Sequence, residues 1–156
     1  MLQAFSPRLL AFTLIASLLI SACGADSSTP PTARTSTTEA SATRNITVIL
    51  KDFEIEPQFT TTSAGIIAFG VVNRGALDHE FIVVRTDTDF DKLPTESAVV
   101  HLNSVSFDGI TLGNTKKLKS QAMESFKVRL EPGRYVLLCN IAGHYELGMR
   151  IPFKVE

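Results

Sequence analysis

The stretch "LEPGRYVLLCNIAGHYELGM", Leu130–Met149, carries the strongest structural signal in the chain. A proline-glycine pair predicts a turn, the apolar run Arg134–Asn140 predicts a strand, and an alanine-glycine pair predicts a second turn. Cys139, His144 and Met149 follow one another at equal spacing across that second turn. The whole chain has only two cysteines, three histidines and three methionines. The stretch therefore predicts two neighbouring strands joined by a loop that carries three side chains able to bind a metal.

Outward from this loop the sequence repeats with a period of two, which is typical of half-buried strands. In Met149–Glu156 the apolar residues are every second one, and Ser125–Leu130 alternates in the same way. Four other runs are rich in apolar and β-branched residues: Asn45–Leu50, Ile66–Asn73, His79–Thr86 and Ser97–Asn103. Turn residues separate the runs. The pattern predicts an all-β fold, an antiparallel β-sandwich of seven to eight strands over residues 45–156.

The N-terminus has the character of an export signal. Met1–Arg8 carries one basic residue and no acid, and Leu9–Ile20 is an apolar run too short to span a bilayer. "ISAC", Ile20–Cys23, resembles a bacterial lipobox, in which the cysteine receives lipid. We expect a signal peptide over residues 1–22 and lipidation at Cys23. The open alternative is a plain signal peptide with a chance cysteine.

Residues 23–44 are predicted to form a disordered tether that starts at the lipidated cysteine. They are rich in Ser, Thr, Pro and Ala and bury too little apolar surface to offset chain entropy. We expect an exported protein, lipid-anchored on the outer side of the cytoplasmic membrane at its periplasmic or extracellular face. If Cys23 is acylated, Cys139 is the only free thiol. A free thiol in an oxidising compartment is a liability unless it is buried or bound.

Composition and motifs exclude several classes of function. The formal net charge is −1 and no basic stripe is visible, so we expect no nucleic-acid partner. The chain shows no phosphate-binding loop, no paired-carboxylate motif and no helix-opening oxyanion hole beside its cysteine. A dinuclear copper site would require two cysteines in one loop, and the predicted domain has one. We expect a protein that is not an enzyme.

The loop residues instead suggest a metal centre. Cys139, His144 and Met149 offer a thiolate, an imidazole and a thioether, and a fourth donor must come from elsewhere. His79 is the preferred candidate because it opens a strand, and His101 is the alternative. Two imidazoles, one thiolate and a weak axial methionine are the donors of a blue-copper site, whereas zinc rarely accepts methionine. The alternatives are a buried core cysteine, a solvated histidine and a core methionine.

At these residues the chain resembles the cupredoxins. Leu130–Met149 is similar to their C-terminal signature, Pro-Gly-x-Tyr followed by Cys-x4-His-x4-Met, with the spacing of auracyanins and rusticyanins. "VVNRGALDHEFIVV", Val71–Val84, is similar to the segment with the first histidine. The resemblance implies a Greek-key β-sandwich that binds one type 1 copper ion, Cu(II) or Cu(I). Its implied ligands are His79, Cys139 and His144, with Met149 axial. Two departures are Ala142 in place of proline and Glu80 in place of asparagine.

The resemblance also implies a function. We expect an exported, membrane-tethered, monomeric type 1 copper protein that transfers single electrons between redox proteins of a membrane electron-transfer chain. His144 would lie nearest the surface, within a partner-docking patch formed by Ile141, Ala142, Tyr145 and Leu147. The alternative is a lipoprotein that binds copper for delivery or sequestration with the same ligands and no shuttle role.

Overall fold

The computed structural model describes residues 42–156. The signal peptide, Cys23 and the tether up to residue 41 lie outside the described residues, so those expectations stay predictions. The first strand begins at Arg44, one residue before the predicted start of the domain. Over residues 42–156 the chain forms no helix with the length and apolar character that a membrane crossing requires.

The described residues form eleven β-strands. In chain order these are β1 Arg44–Lys51, β2 Glu54–Pro57, β3 Thr61–Thr62, β4 Gly65–Asn73, β5 Ile82–Arg85, β6 Thr95–Glu96, β7 Val99–Val100, β8 Ile110–Asn114, β9 Met123–Leu130, β10 Gly133–Leu138 and β11 Arg150–Val155. The longer strands coincide with the period-two runs, because alternating side chains can bury one face and solvate the other.

Two sheets make the sandwich. The first has the strand order β2-β1-β4-β9 and the second the order β3-β11-β10-β5-β8, while β6 and β7 pair separately. The chain crosses repeatedly from one sheet to the other, for example from β4 to β5 and from β8 to β9. The prediction of an all-β sandwich is confirmed.

Two details of that prediction are wrong. The sheets are mixed rather than antiparallel, because β1 pairs with β4 and β11 with β3 in parallel. Side-chain alternation is the same in both kinds of pairing, so the sequence could not distinguish them. Residues 42–156 contain eleven strands rather than seven or eight, because several have only two to five residues. Of the run Ser97–Asn103, only Val99–Val100 is strand.

The inner core lies between the two sheets, and it is made by alternate residues of the long strands. β4 contributes three residues that are at most 1% exposed, Ile67, Phe69 and Val71. The ring of Phe69 lies 5.3 Å from that of Phe81 and 6.0 Å from that of Phe153, between centroids. Burying each such side chain contributes about 1.5–3 kcal/mol. Cys139 and Met149 belong to the same cluster, so two of the predicted donors lie at the end of this core.

The outer core lies on the opposite face of the second sheet. Its floor is formed by alternate residues of β5 and β10, and its cover by apolar residues of the covering segment, residues 86–109. The members are Ile82, Val84, Leu93, Val100, Phe107, Val136, Leu138 and Tyr145. Strand β10 is therefore buried on both faces, and every residue of Tyr135–Cys139 is at most 2% exposed.

Candidate metal centre

The loop between β10 and β11 is closed at its base by strand pairing. Leu138 pairs with Arg150, and the Cys139 amide donates to the Met149 carbonyl at 3.0 Å. The Met149 amide in turn donates to the His144 carbonyl at 2.9 Å. Gly143 has a φ of 81°, a left-handed conformation that favours glycine at this turn. The backbone thus fixes the relative positions of the three predicted donors on this loop.

His79 reaches the same place from the other side. It lies before β5 and forms an isolated bridge with Leu118, in which the His79 amide donates at 3.0 Å and the Leu118 amide donates back at 2.6 Å. The Asn73 side chain, fully buried at the end of β4, donates to the carbonyls of Leu77 and Leu118 at 2.7 and 3.0 Å. These bonds fix the loop that ends at His79.

Three of the four predicted donors converge. The Nδ1 atoms of His79 and His144 lie 3.1 Å apart, and the Cys139 sulfur lies 3.5 Å from His144 Nδ1. All three donor atoms are within 4.8 Å of one another. Met149 is fully buried beside them in the chain. The alternative donor His101 takes no part, because its ring pairs with Glu96 at 2.8 Å elsewhere.

The spacing suits a single first-row metal ion. At about 2.0 Å for imidazole nitrogen and 2.3 Å for thiolate in a roughly tetrahedral site, two nitrogens lie about 3.3 Å apart and sulfur lies about 3.5 Å from nitrogen. The observed separations, 3.1 Å between the histidine nitrogens and 3.5 Å from Cys139 to His144, are close to these values. Thiolate, imidazole and thioether together favour copper over calcium or magnesium, which prefer oxygen.

Burial shifts the pKa values of two of these donors, Cys139 and His144. His79 and Cys139 are 0% exposed and His144 is 8% exposed. Burial raises the pKa of the Cys139 thiol, against the opposing effect of the Glu80 amide, which donates to the sulfur at 3.4 Å. The pKa of His144 is lowered mainly by burial and, to a smaller extent, by the neighbouring His79. Without a metal, Cys139 is thus a protonated thiol and His144 a neutral imidazole. A metal cation would displace the thiol proton on binding.

Two acidic side chains near the donors were not assigned roles from the sequence. Asp52, in the turn between β1 and β2, places Oδ1 3.0 Å from His79 Nε2. The amides of Leu77 and Ala76 and the ring of His79 hold the pKa of Asp52 below its usual range, with Leu77 the largest cause. Glu80 accepts a hydrogen bond from the Asn140 amide at 3.1 Å, and burial raises its pKa. No local motif marks Asp52, which is 27 residues from His79 along the chain.

The predicted docking patch is wrong in one member. Tyr145 is only 3% exposed, and its hydroxyl donates to the Phe90 carbonyl at 2.8 Å and accepts from the Leu93 amide at 3.0 Å. Its ring is part of the outer core, because the covering segment packs over it. Leu147, by contrast, is 62% exposed, Ala142 is exposed and Ile141 is half-buried.

The architecture of this chain is similar to that of several solved structures. The chain is similar to auracyanin from Roseiflexus castenholzii, with 22% identity, a TM-score of 0.54, and coverage of 75% of this chain and 98% of that one. It is similar to rusticyanin from Thiobacillus ferrooxidans, with 17% identity, a TM-score of 0.55, and coverage of 73% and 77%. An azurin from Methylomonas has 17% identity and a TM-score of 0.50, with coverage of 72% and 98%.

No family model and no curated protein sequence matches the chain. Each of these solved structures nevertheless aligns with at least 72% of this chain at a TM-score of 0.50 or more. The convergent donors lie at one end of the sandwich, where β10 ends and β11 begins. The described part of this chain has the cupredoxin fold.

Proposed function

We propose that this chain is a type 1 copper protein that transfers single electrons between redox partners. The observation that carries the proposal is the convergence of the thiol of Cys139 with the Nδ1 atoms of His79 and His144 within 4.8 Å. Met149 is the proposed axial ligand. It is fully buried, and its backbone forms hydrogen bonds with those of Cys139 and His144. Soft and borderline donors in one site suit both oxidation states of copper.

When bound, copper would supply a one-electron couple between Cu(II) and Cu(I). The residues of the chain would hold both states in nearly one geometry. The backbone bonds at the base of the loop and the His79–Leu118 bridge restrict movement of the donors. Because the site is buried, little water has to reorganise when the charge changes. A rigid and dry site of this kind favours transfer of electrons over release of the ion.

The solved relatives support this assignment. Auracyanin A from Chloroflexus aurantiacus is described as a "blue" copper protein and shares 17% identity with this chain at a TM-score of 0.50. The Roseiflexus auracyanin was solved after reduction with dithionite, and a rusticyanin was likewise solved in its reduced form. These properties belong to those proteins. Together with the donor set found in this chain, they support copper redox chemistry for it.

The surface near His144 is the proposed route for the electron. Among the three clustered donors His144 is the least buried, at 8% exposed. The docking patch is revised to Ile141, Ala142 and Leu147, which lie within three residues of His144 in the chain. Weak, short-lived docking suits an electron shuttle, so a small interface with redox proteins is expected.

Export and tethering complete the proposal. The signal-like residues 1–22 and the lipobox-like ending at Cys23 support a protein anchored by lipid on the outer side of the cytoplasmic membrane. The proposed tether, shortened to residues 23–43 because Arg44 begins β1, would let the domain reach membrane redox proteins as a monomer. Labelling with a radioactive fatty acid in the producing cell tests this part: we expect incorporation that is lost in Cys23→Ser, and incorporation that persists in that variant would contradict it.

The copper proposal is tested by titrating the purified protein with Cu(II) and recording visible absorption and electron paramagnetic resonance spectra. We expect an intense thiolate-to-copper band that is bleached reversibly by a reductant and absent in Cys139→Ser. Cys23→Ser is the matched control, because it removes the other cysteine and should leave the band unchanged. A pale sample that binds copper and loses it to a competitor within minutes would instead support the delivery role.

A further inference from the structure

Asp52 lies outside the donor set, yet its carboxylate contacts the ring of a proposed ligand. We propose that Asp52 is a positioning residue for His79: it holds the ring proton on Nε2 and so presents the Nδ1 lone pair to the metal. This deepens the proposed function and rests on it.

The two ring nitrogens of His79 have different neighbours. Nε2 lies 3.0 Å from Oδ1 of Asp52, and Nδ1 lies 3.1 Å from Nδ1 of His144, inside the cluster of donors. A neutral imidazole carries one proton, and a carboxylate can only accept a hydrogen bond. The contact with Asp52 therefore selects the form with hydrogen on Nε2. The lone pair of Nδ1 is left directed into the site, as a metal ligand requires.

The carboxylate of Asp52 is itself held in place. Its Oδ1 accepts from the Leu77 amide at 3.1 Å, and its Oδ2 accepts from the Ala76 amide at 3.1 Å. With the ring of His79, three N–H groups converge on one carboxylate. Two of them are backbone amides of the loop that leads to His79, so the orientation of Asp52 and that of the ring are fixed by the same segment.

Gly75 leaves the space that this contact occupies. A Cβ atom at residue 75 would lie 2.3 Å from Oδ1 of Asp52 and 2.8 Å from Nε2 of His79, both too close. The backbone of Gly75 is fixed on both sides: its amide donates to Oδ1 of Asn73 at 2.9 Å, and its carbonyl accepts from the hydroxyl of Ser120 at 2.7 Å. The loop thus closes directly over the bond between carboxylate and imidazole, and excludes larger residues from it.

The expected chemical effect follows from charge. An anionic acceptor on Nε2–H makes the imidazole a stronger donor at Nδ1, and this favours the more highly charged ion. Loss of such a partner commonly weakens metal binding about 10- to 100-fold. Because Cu(II) is affected more than Cu(I), the reduction potential should rise when Asp52 is neutralised. A tenfold difference between the two losses corresponds to about 59 mV.

The first experiment needs no copper. Long-range ¹H–¹⁵N spectra of the metal-free, ¹⁵N-labelled protein report which nitrogen of His79 carries the proton. We expect the Nε2–H form in the unmodified protein and a mixture of both forms in Asp52→Ala. Asp78→Asn is the matched control, since Asp78 adjoins His79 in the chain but its carboxylate pairs with Lys119 at 3.2 Å. An Nδ1–H form in the unmodified protein, or unchanged spectra in a folded Asp52→Ala, would overturn the proposal.

The second experiment uses the copper-loaded protein and the variant Asp52→Asn, which keeps the size of the side chain. We expect a higher reduction potential and a Cu(II) affinity about 10- to 100-fold lower, with a smaller change for Cu(I). A purely structural Asp52 would lower stability and leave the potential where Asp78→Asn leaves it, and that result would overturn the proposal. If no blue site forms in the unmodified protein, the proposed function fails, while the metal-free spectra still decide the role of Asp52.

Discussion

The two apolar cores on either side of the second sheet are built in different ways. The inner core is formed by alternate residues of long strands from both sheets. The outer core has strand residues only as its floor, and its cover is the covering segment, which contains just two strands of two residues each. Leu137 and Leu138, neighbours on β10 and both 0% exposed, point into different cores. Substitutions at these two neighbouring positions of β10 can therefore test each core separately.

The two cores also have different contacts with the candidate metal centre. The inner core contains Cys139 and Met149, so packing between the two sheets fixes these two donors. The covering segment holds the loop from the side: Asn140 bonds to both backbone groups of Val100, and the Gly143 amide donates to Ala98 at 2.8 Å. Packing of the regular sandwich places the donors, and an irregular segment restrains the loop that carries them.

Alanine in place of each leucine should separate the two cores by stability. We expect Leu137→Ala to lower the free energy of unfolding by about 4 kcal/mol and Leu138→Ala by about 3 kcal/mol. The second value is smaller because an irregular cover can collapse into the cavity more readily than a paired strand. Urea denaturation measures both. A larger loss for Leu138→Ala would show that the covering segment is the more rigid of the two.

The bond between Asn140 and the covering segment gives the next effect. The Asn140 side chain accepts from the Val100 amide at 2.6 Å and donates to the Val100 carbonyl at 3.0 Å. Asn140→Ala leaves the Val100 amide without its partner, while the Val100 carbonyl still accepts from the Leu102 amide at 2.9 Å; the loss should cost about 2 kcal/mol. We expect amide hydrogen exchange at Val100 to accelerate more than tenfold. The exposed Asn103 offers a control, Asn103→Ala, and equal exchange at Val100 in the two variants would contradict the restraint.

The two tyrosines of the chain provide a smaller test, because one lies in each core. The Tyr145 hydroxyl joins two groups of the covering segment, the Phe90 carbonyl and the Leu93 amide. The Tyr135 hydroxyl donates only to the nearby Glu131 carbonyl. We expect Tyr145→Phe to cost about 1.5 kcal/mol and Tyr135→Phe about 0.5–1 kcal/mol in thermal or urea unfolding. The opposite order would mean that the hydroxyl of Tyr145 does not restrain the loop.

The smallest effect on stability, within about 0.5 kcal/mol, is expected for Leu147→Lys, since the side chain is exposed. This variant tests the docking patch. With copper bound, electron self-exchange between oxidised and reduced copies should slow at least tenfold, because two patches of like charge repel, while the visible spectrum stays the same. Ile110→Lys is the control, as Ile110 is also 62% exposed and lies on β8. Equal self-exchange rates in the two variants would argue against docking at Leu147.

The inner core and the donor loop were predictable from sequence because their signals are local. Alternation over six to eight residues identifies which face of a strand is buried, as in β9 and β11. The loop from Cys139 to Met149 is one continuous segment, so its spacing alone predicts that its side chains can meet. His79 is preferred over His101 because it opens a predicted strand and, in addition, because of the resemblance, since nothing in the spacing links it to a loop about 60 residues later in the chain.

The remaining features depend on contacts that leave no local pattern. The covering segment has no period, because its apolar residues Leu93, Val100 and Phe107 are placed by turns rather than by a strand. The sequence therefore does not predict that this segment buries Tyr145, and the predicted docking patch wrongly includes that residue. Asp52 has the appearance of an ordinary turn residue until the fold places it at His79. Parallel pairing of β1 with β4 is likewise set by topology and not by composition.

The burial of β10 on both faces also affects the chemical lifetime of the protein before it acquires a metal. Cys139 directly follows the strand that the two cores enclose, it is 0% exposed, and burial raises the pKa of its thiol. Oxidation to sulfenic acid by an oxidant and exchange with a disulfide both require an accessible thiolate. The enclosure of β10 therefore protects the sulfur of Cys139 against oxidation while no metal is bound.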